Sequence, residues 1–254
     1  MWNSFDTFAT GGMTARTTTM TGGGGKEIHT YIAQPDGDGP YPGVVLLHHV
    51  PGWDEFYREF ARRFAQHGFI AICPNLFEAW GPGTPDEVAA KARADGSVSD
   101  DSVVGDAQAA LNWVKAQPAS NGKVGVIGSC SAGRHALLAA ARVDGFSAVV
   151  DLWGAGVVVT PDRLTEKQPV AVLDLVPNIN MPILGLFGND DMNPNPDAVN
   201  TLEAKLKESG KTYMFYRYDG AGHGFFYYQN QLYRQQQAMD GWEKVEAFFK
   251  QQLT

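Results

Sequence analysis

Cysteine is scarce in this chain, no apolar run is long, and basic charge is never gathered into a cluster. The 254 residues hold two cysteines, Cys73 and Cys130. Two are too few for a disulfide framework, and their separation fits no zinc motif, so no metal site is expected. Cys73 lies inside the apolar run FIAICP and reads as core. No apolar stretch approaches the roughly 20 residues a membrane-spanning helix needs. Asp and Glu outnumber Lys and Arg by 28 to 20, for a net charge of −8. With no basic run, neither nucleic acid nor an anionic membrane is an expected partner. The first residues, MWNSFDTFATGG, show neither the basic start nor the apolar middle of a secretory signal, so a reducing, cytoplasmic setting is the expectation.

What is present is enough apolar residue, 44% of the chain, for the core of one large α/β domain. Residues 1–25, rich in Thr and Gly, read as a loosely packed lead-in or a short edge hairpin, and residues 26–254 as a single domain. From there strands and helices alternate. EIHTYIAQP alternates like a strand, GVVLLHH and FIAICP read as buried strands, and Asp54 caps a helix between them that Gly68 stops. PDEVAAKARADG and DDSVVGDAQAALNWVKAQP are helical. KVGVIG, FSAVVDLWG, MPILGLFG and TYMFYRY are further strands, with a helix near 197–209 and a long amphipathic helix over 231–252. Residues 155–180 hold three prolines and read as irregular. The alternation predicts an α/β fold with a mostly parallel sheet covered on both faces.

Residues 124–134, VGVIGSCSAGR, carry the most information. An apolar strand closes at Gly128, a run of small residues follows, and a helix starts at once. Small residues two before Cys130 (Gly128) and two after it (Ala132) permit the strained strand–turn–helix of a nucleophile elbow. The new helix directs free N–H groups at the apex, which suits a thiolate and an oxyanion. Ser131, flanked by Ser129 and Gly133, is the competing apex. Cys130 is preferred because Gly128 closes the strand and Ala132-Gly133 supply close helix–strand packing. The bland alternative is a buried, inert cysteine.

A nucleophilic thiol needs a base, and the base needs a carboxylate to hold its tautomer. His223 sits in DGAGHGFF after the last strand, and Asp190 and Asp191 follow MPILGLFG. The order is nucleophile, acid, histidine, as in α/β-hydrolases. The spacing G-x-x-D from Gly188 selects Asp191, with Asp190 the alternative; either carboxylate could instead merely cap a turn. Two backbone amides should hold the oxyanion: that of Ser131, and that of Val50, since Pro51 cannot donate.

Together these motifs resemble the dienelactone hydrolase family, carboxymethylenebutenolidase-like cysteine enzymes of the α/β-hydrolase fold, from about Glu27 to the C-terminus. GSCSAGR matches that family's G-x-C-x-G-G-R with Ala132 for one glycine; GNDD, GAGH and PNLF match its GxxD, G-x-G-H and P-D-L-Y segments. The resemblance implies an α/β-hydrolase fold with about eight strands, the triad Cys130, Asp191 and His223, and hydrolysis of a small ester or lactone through a thioester. It implies no metal or organic cofactor. Where family members carry a glutamate near the nucleophile, this chain has His49. Where they carry two arginines for a substrate carboxylate, it has Glu78 and Ala79 in one place and Tyr227 in the other. A neutral or aromatic ester is therefore the expected substrate.

His49 either steers Cys130, bonds a substrate oxygen, or is a satisfied polar residue at a strand end; His48 should face the other way. Arg134, at the unfavourable dipole end of the elbow helix, should pair with a buried carboxylate. Trp53, Phe77, Trp80, Trp153, Phe225 and Tyr227 follow strands and are candidates for an apolar pocket or for plain core. Two other readings stay open: a ligand-binding protein with little turnover, and a thiol redox role, which the lack of a nearby resolving cysteine disfavours. A monomer or homodimer is expected.

Overall fold

The computed structural model of the chain describes residues 12–254. Its strands are β1 Met13–Thr21, β2 Glu27–Pro35, β3 Tyr41–Leu47, β4 Ile70–Pro74, β5 Ser120–Ser129, β6 Ala148–Leu152, β7 Ile183–Gly188 and β8 Tyr213–Tyr218. The helices are α1 Glu55–Gln66, α2 Pro85–Ala94, α3 Asp100–Lys115, α4 Ser131–Arg142, α5 Val172–Leu175, α6 Pro196–Glu208 and α7 Gln235–Leu253. One sheet of eight strands runs in the order β1-β2-β4-β3-β5-β6-β7-β8. β1 with β2 and β2 with β4 are antiparallel, and the remaining neighbours are parallel. This is the expected α/β architecture.

The Thr-rich stretch before residue 25 belongs to the sheet. Met13–Thr21 pairs along its whole length with β2, from Met13 opposite Pro35 to Thr21 opposite Glu27. An edge hairpin, rather than a loose lead-in, thus occupies these residues; residues 1–11 lie outside the described part. Of β1 only Met20 is buried. An edge strand needs little apolar content, which is why its periodicity is faint. At the other end, α7 begins at Gln235 rather than 231. Residues before it form turns whose carbonyls at Gln231 and Tyr233 accept from the Arg234 guanidinium at 3.0 and 3.1 Å.

Helices start where their caps lie. Asp54 accepts from the Tyr57 amide at the start of α1, and Thr84 with Glu87 forms a capping box on α2. The two sheet faces are set by which side each strand residue takes. α1 and α7 share one face, where Trp242 stacks within 5.5 Å of Phe60 and 5.0 Å of Phe64. Gly125 on β5 admits α7 to the sheet: a Cβ there would lie 2.4 Å from the Phe249 ring. On the other face, Gly43 of β3 admits α3, since a Cβ would fall 2.2 Å from Val114. Parallel strands with helices on both faces bring the loops after β3, β5, β6, β7 and β8 to one edge.

Replacing Gly125 with Val tests this packing. The branched side chain must displace the Phe249 ring, so urea unfolding should show a loss of about 1–3 kcal/mol. An unchanged or raised stability, as strand propensity alone would give, would contradict it.

Candidate active site

At the end of β5 the backbone turns through Cys130 with φ 58° and ψ −129°, a left-handed conformation that costs energy for any residue with a side chain. Ser131 is already the first residue of α4, so Cys130 is the residue at the apex of the turn. The turn is tight enough that a Cβ on Gly128 would lie 1.9 Å from the Ala132 carbonyl oxygen. Backbone bonds tie the apex to the end of β6: the Cys130 amide donates to Leu152 at 3.0 Å, and the Ala155 amide donates to Cys130 at 2.9 Å. Cys130 is part-exposed while Cys73 is buried, and burial pushes the Cys73 thiol out of reach of ionisation.

The loops after β7 and β8 bring a carboxylate and an imidazole together. His223 Nδ1 lies 2.9 Å from Asp191 Oδ2, and the other Asp191 oxygen accepts from the Asn193 amide at 2.8 Å. Asp191 is buried, whereas Asp190 is exposed and uses its amide to reach Ala221. Because a carboxylate only accepts, we assign a ring hydrogen to Nδ1. Burial disfavours the charged ring. Hydrogen bonds to Asp191 and Cys130, with the charge of each, outweigh it and lift His223 to about 10. The imidazolium is thus favoured beside the sulfur.

The Ser131 amide stands at the first turn of α4 and the Val50 amide in the turn after β3. Among the described residues neither donates a hydrogen bond within the protein. A groove of about 190 Å³ opens beside Ser131, with Arg134, His135, Arg163, Gln168 and Asn193 among its walls. The larger cavity, about 420 Å³ between α1 and α7, is lined by none of these residues.

The aromatic candidates divide. Trp153 and Phe225 are wholly buried and stack on each other at 4.7 Å. These two rings are core, because the loops after β6 and β8 fold inward over the sheet end. Phe77 is also buried, with Trp80 edge-on at 5.7 Å. Trp53 donates to the Cys73 carbonyl at 3.0 Å and Trp80 to Asp95 at 3.1 Å. Tyr227 and His49 are buried and bond each other. His48 does face the other way: its Nε2 accepts from the Leu76 amide at 2.9 Å, leaving Nδ1 to donate to the His49 carbonyl. Burial, its main influence, lowers His48 to about 4 and keeps it neutral. Arg134 finds its buried carboxylate in Asp100, at 2.7 and 3.1 Å.

The sequence profile of the dienelactone hydrolase family matches residues 28–253. The chain belongs to the dienelactone hydrolase family. It is therefore an ester and lactone hydrolase by class. An Escherichia coli protein provisionally named carboxymethylenebutenolidase is 30% identical over 234 residues, 89% of this chain and 83% of that one. A Methylorubrum extorquens protein of the same provisional name is 29% identical, over 88% and 77% of the two chains. A Klebsiella pneumoniae structure, provisionally a dienelactone hydrolase, superposes with TM-score 0.86 at 28% identity, covering 94% of this chain and 99% of the other. A metagenomic dienelactone hydrolase-like phosphotriesterase shares the fold, at TM-score 0.78 and 22% identity, over 96% and 100%.

Several residues at the site carry no local motif. Tyr57 and Ser129 meet Tyr227 behind the elbow, and Asp151 sits beneath it. Both Asp151 carboxyl oxygens are buried, with no well-formed hydrogen bond among the described residues, walled by Gly133 and Gly154. Burial, only partly offset by the Gly154 amide, raises this carboxyl from 3.8 to about 7. The folded state therefore holds the proton more tightly than the unfolded chain, and the stability this gives is lost as pH rises from about 4 through 7. Asp151→Asn keeps the shape without the charge. Its advantage over wild type in denaturant unfolding should grow between pH 5 and 8 toward a few kcal/mol, since each tenfold difference in proton affinity is worth about 1.4 kcal/mol. A difference that is flat with pH would contradict the assignment.

Proposed function

We propose that the chain hydrolyses a small-molecule ester or lactone with Cys130 as nucleophile. The observation that carries this is the Asp191–His223 pair at 2.9 Å, bonded on toward the sulfur of a strained apex residue. With its proton already held by the His223 imidazolium, the sulfur adds to the substrate carbonyl carbon. The carbonyl electron pair moves onto oxygen, where the Val50 and Ser131 amides stabilise it. As the tetrahedral species collapses, the C–O bond breaks and His223 returns the proton to the departing alcohol oxygen. In a lactone that alcohol stays attached, so the ring opens on the enzyme. Water, deprotonated by the now neutral His223, then attacks the thioester; the acid leaves, and the sulfur is again paired with the protonated His223. Asp191 keeps the ring oriented and stabilises its charge throughout. The reaction consumes water and needs no redox partner. The names of relatives agree in kind: besides those above, a Bradyrhizobium protein 25% identical over 236 residues is provisionally a lactonase.

The substrate we favour is uncharged. Glu78 accepts from the His29 amide and Asn75 side chain at 3.1 and 3.0 Å, Ala79 has no charge to offer, and the Tyr227 hydroxyl is committed to His49 and Ser129. None is a cation for a carboxylate.

Two measurements test this. Against a short chromogenic ester, Cys130→Ala and His223→Ala should each lower the rate by roughly three orders of magnitude. Retention of rate by Cys130→Ala would remove Cys130 as nucleophile and make Ser131 the candidate; no turnover by any form, with tight ligand binding, would favour a binding protein. Neutral lactones should exceed carboxylated ones of similar size in kcat/KM. The reverse order would overturn the uncharged-substrate reading and direct attention to Arg163 in the groove.

A further inference from the structure

A second hydrogen-bonded chain reaches the elbow by a different route. Asp54 Oδ2 lies 2.8 Å from His49 Nε2, and His49 Nδ1 lies 2.7 Å from the Tyr227 hydroxyl. That hydroxyl lies 2.9 Å from Ser129 Oγ, which is 2.8 Å from the Tyr57 hydroxyl. The Ser129 amide closes the chain by donating to Tyr57 at 3.1 Å. Ser129 immediately precedes Cys130, and Ser129 and Tyr57 are wholly buried, with His49 and Tyr227 nearly so.

The acceptor-only carboxylate at one end gives the chain a direction. Burial raises the Asp54 carboxyl, but hydrogen bonds from His49 and the Tyr57 amide outweigh it and hold the group below its ordinary value. We therefore assign the His49 hydrogen to Nε2, donating to Asp54. Nδ1 then accepts from the Tyr227 O–H. Tyr227 oxygen accepts from the Ser129 O–H, and Ser129 oxygen from the Tyr57 O–H. Every hydrogen in the chain has one place to go. A buried network satisfied in this way is stiff, because any rotation leaves a polar group unpaired in a low-dielectric interior.

What it stiffens is the residue next to the strained turn. A left-handed Cys130 persists only if its surroundings over-determine it. Leu152 and Ala155 hold its backbone from the end of β6 and the loop after it, and the chain from Asp54 holds Ser129 from the loop after β3, from α1 and from the loop after β8. The charge of Cys130 also reaches Tyr227: after burial it is the next cause raising that phenol above its ordinary range.

We propose that Asp54, His49 and Tyr227 form a positioning relay that holds the nucleophile Cys130 in register with His223, acting through Ser129. Tyr227 is its central positioning residue. This inference rests on Cys130 being the nucleophile, and its test is built so that the two can fail separately.

Two substitutions enter the relay from its ends. Tyr227→Phe removes the hydroxyl and strands both His49 Nδ1 and the Ser129 O–H. Asp54→Asn keeps an efficient helix cap but turns an amide N–H₂ toward His49 Nε2, which forces the other tautomer and reverses the chain. Each should lower kcat by about tenfold, equivalent to about 1.4 kcal/mol, with KM changed by less than twofold. Because both break one unit, the double variant should be no slower than the slower single one. In parallel, alkylation of the Cys130 peptide by iodoacetamide, followed by mass spectrometry across pH, reads the sulfur without needing turnover. Its rate profile should move in Tyr227→Phe and Asp54→Asn alike, and no further in the double variant. Multiplying losses in the double variant, or kcat and alkylation both like wild type in Asp54→Asn, would overturn the relay. So would losses that appear in KM or melting temperature with the alkylation profile unmoved. An absence of ester turnover with a jointly shifted alkylation profile would sink the hydrolase reading and leave the relay standing.

Discussion

The structure depends on one strained residue. Cys130 sits at φ 58° because the strand it ends and the helix it starts must pack almost in contact, and that contact needs glycine on both elements. Gly128 faces the Ala132 carbonyl, and Gly133 faces Gly154 so closely that a Cβ would lie 2.4 Å from its Cα. The cost of the turn is met by the sheet around it. β5 lies between β3 and β6 in the interior of the sheet, where its ladder bonds cannot relax. The gain is placement: the sulfur stands at the positive end of α4, with an unused amide beside it. Asp151 shows what this geometry forces elsewhere, since a carboxyl wedged between Gly133 and Gly154 is shut away from water.

Two aspartate–histidine pairs approach this residue, and their surroundings separate their roles. In Asp191–His223 the imidazole side chain is 31% exposed and the carboxylate 2% exposed; one ring nitrogen is held and the other looks onto the sulfur. In Asp54–His49 the order is reversed, with the imidazole 3% exposed and the carboxylate 23%. Both His49 nitrogens are occupied. A histidine that shuttles protons needs a free nitrogen, and a histidine that fixes a scaffold needs none. The same pair of residue types is thus suited to proton transfer at one address and to rigidity at the other, and hydrogen-bond valence makes the difference.

The parts of this site legible in the sequence are those with local signatures. The elbow reads out because its glycine spacing is a backbone requirement, Asp191 because it follows a strand three residues after Gly188, and His223 because it follows a strand in a short glycine-rich loop. The buried strands β3 to β7 are plain from their apolar runs. β1 is not, because an edge strand of threonines has one buried side chain and no need of more. Asp54 is legible as a helix cap, which it is; nothing local says that its second oxygen reaches His49. Tyr57, Ser129 and Tyr227 meet from α1, β5 and the loop after β8. Such a meeting is decided by the close of the fold, where separations of 72 and 98 residues are brought to 2.8 and 2.9 Å. The aromatic residues after strands are ambiguous for the same reason: burial is a property of the finished packing, and it draws Trp153 and Phe225 inward.

The buried ion pair Arg134–Asp100 bears on how this scaffold acquires specificity. Arg134 lies on the elbow helix at its unfavourable dipole end, and Asp100 lies in the first turn of α3, where a carboxylate is favoured. Both are almost fully buried. Around them the segment over 155–180, which the sequence suggests is irregular but which holds the short helix α5, is strapped down: the Asp100 amide donates to the Lys167 carbonyl at 2.8 Å, and Gln168 reaches the Val98 carbonyl at 3.4 Å. That segment supplies Arg163 and Gln168 to the groove beside Ser131. The pair thus joins the helix that carries the Ser131 amide to the segment that lines the groove beside it. Buried ion pairs gain little net stability over apolar packing but are costly to half-remove, so the constraint is better understood as geometric than as stabilising. With the strap fixed at its base, its exposed residues can change without disturbing Cys130, and substrate choice can drift while the catalytic turn stays as it is.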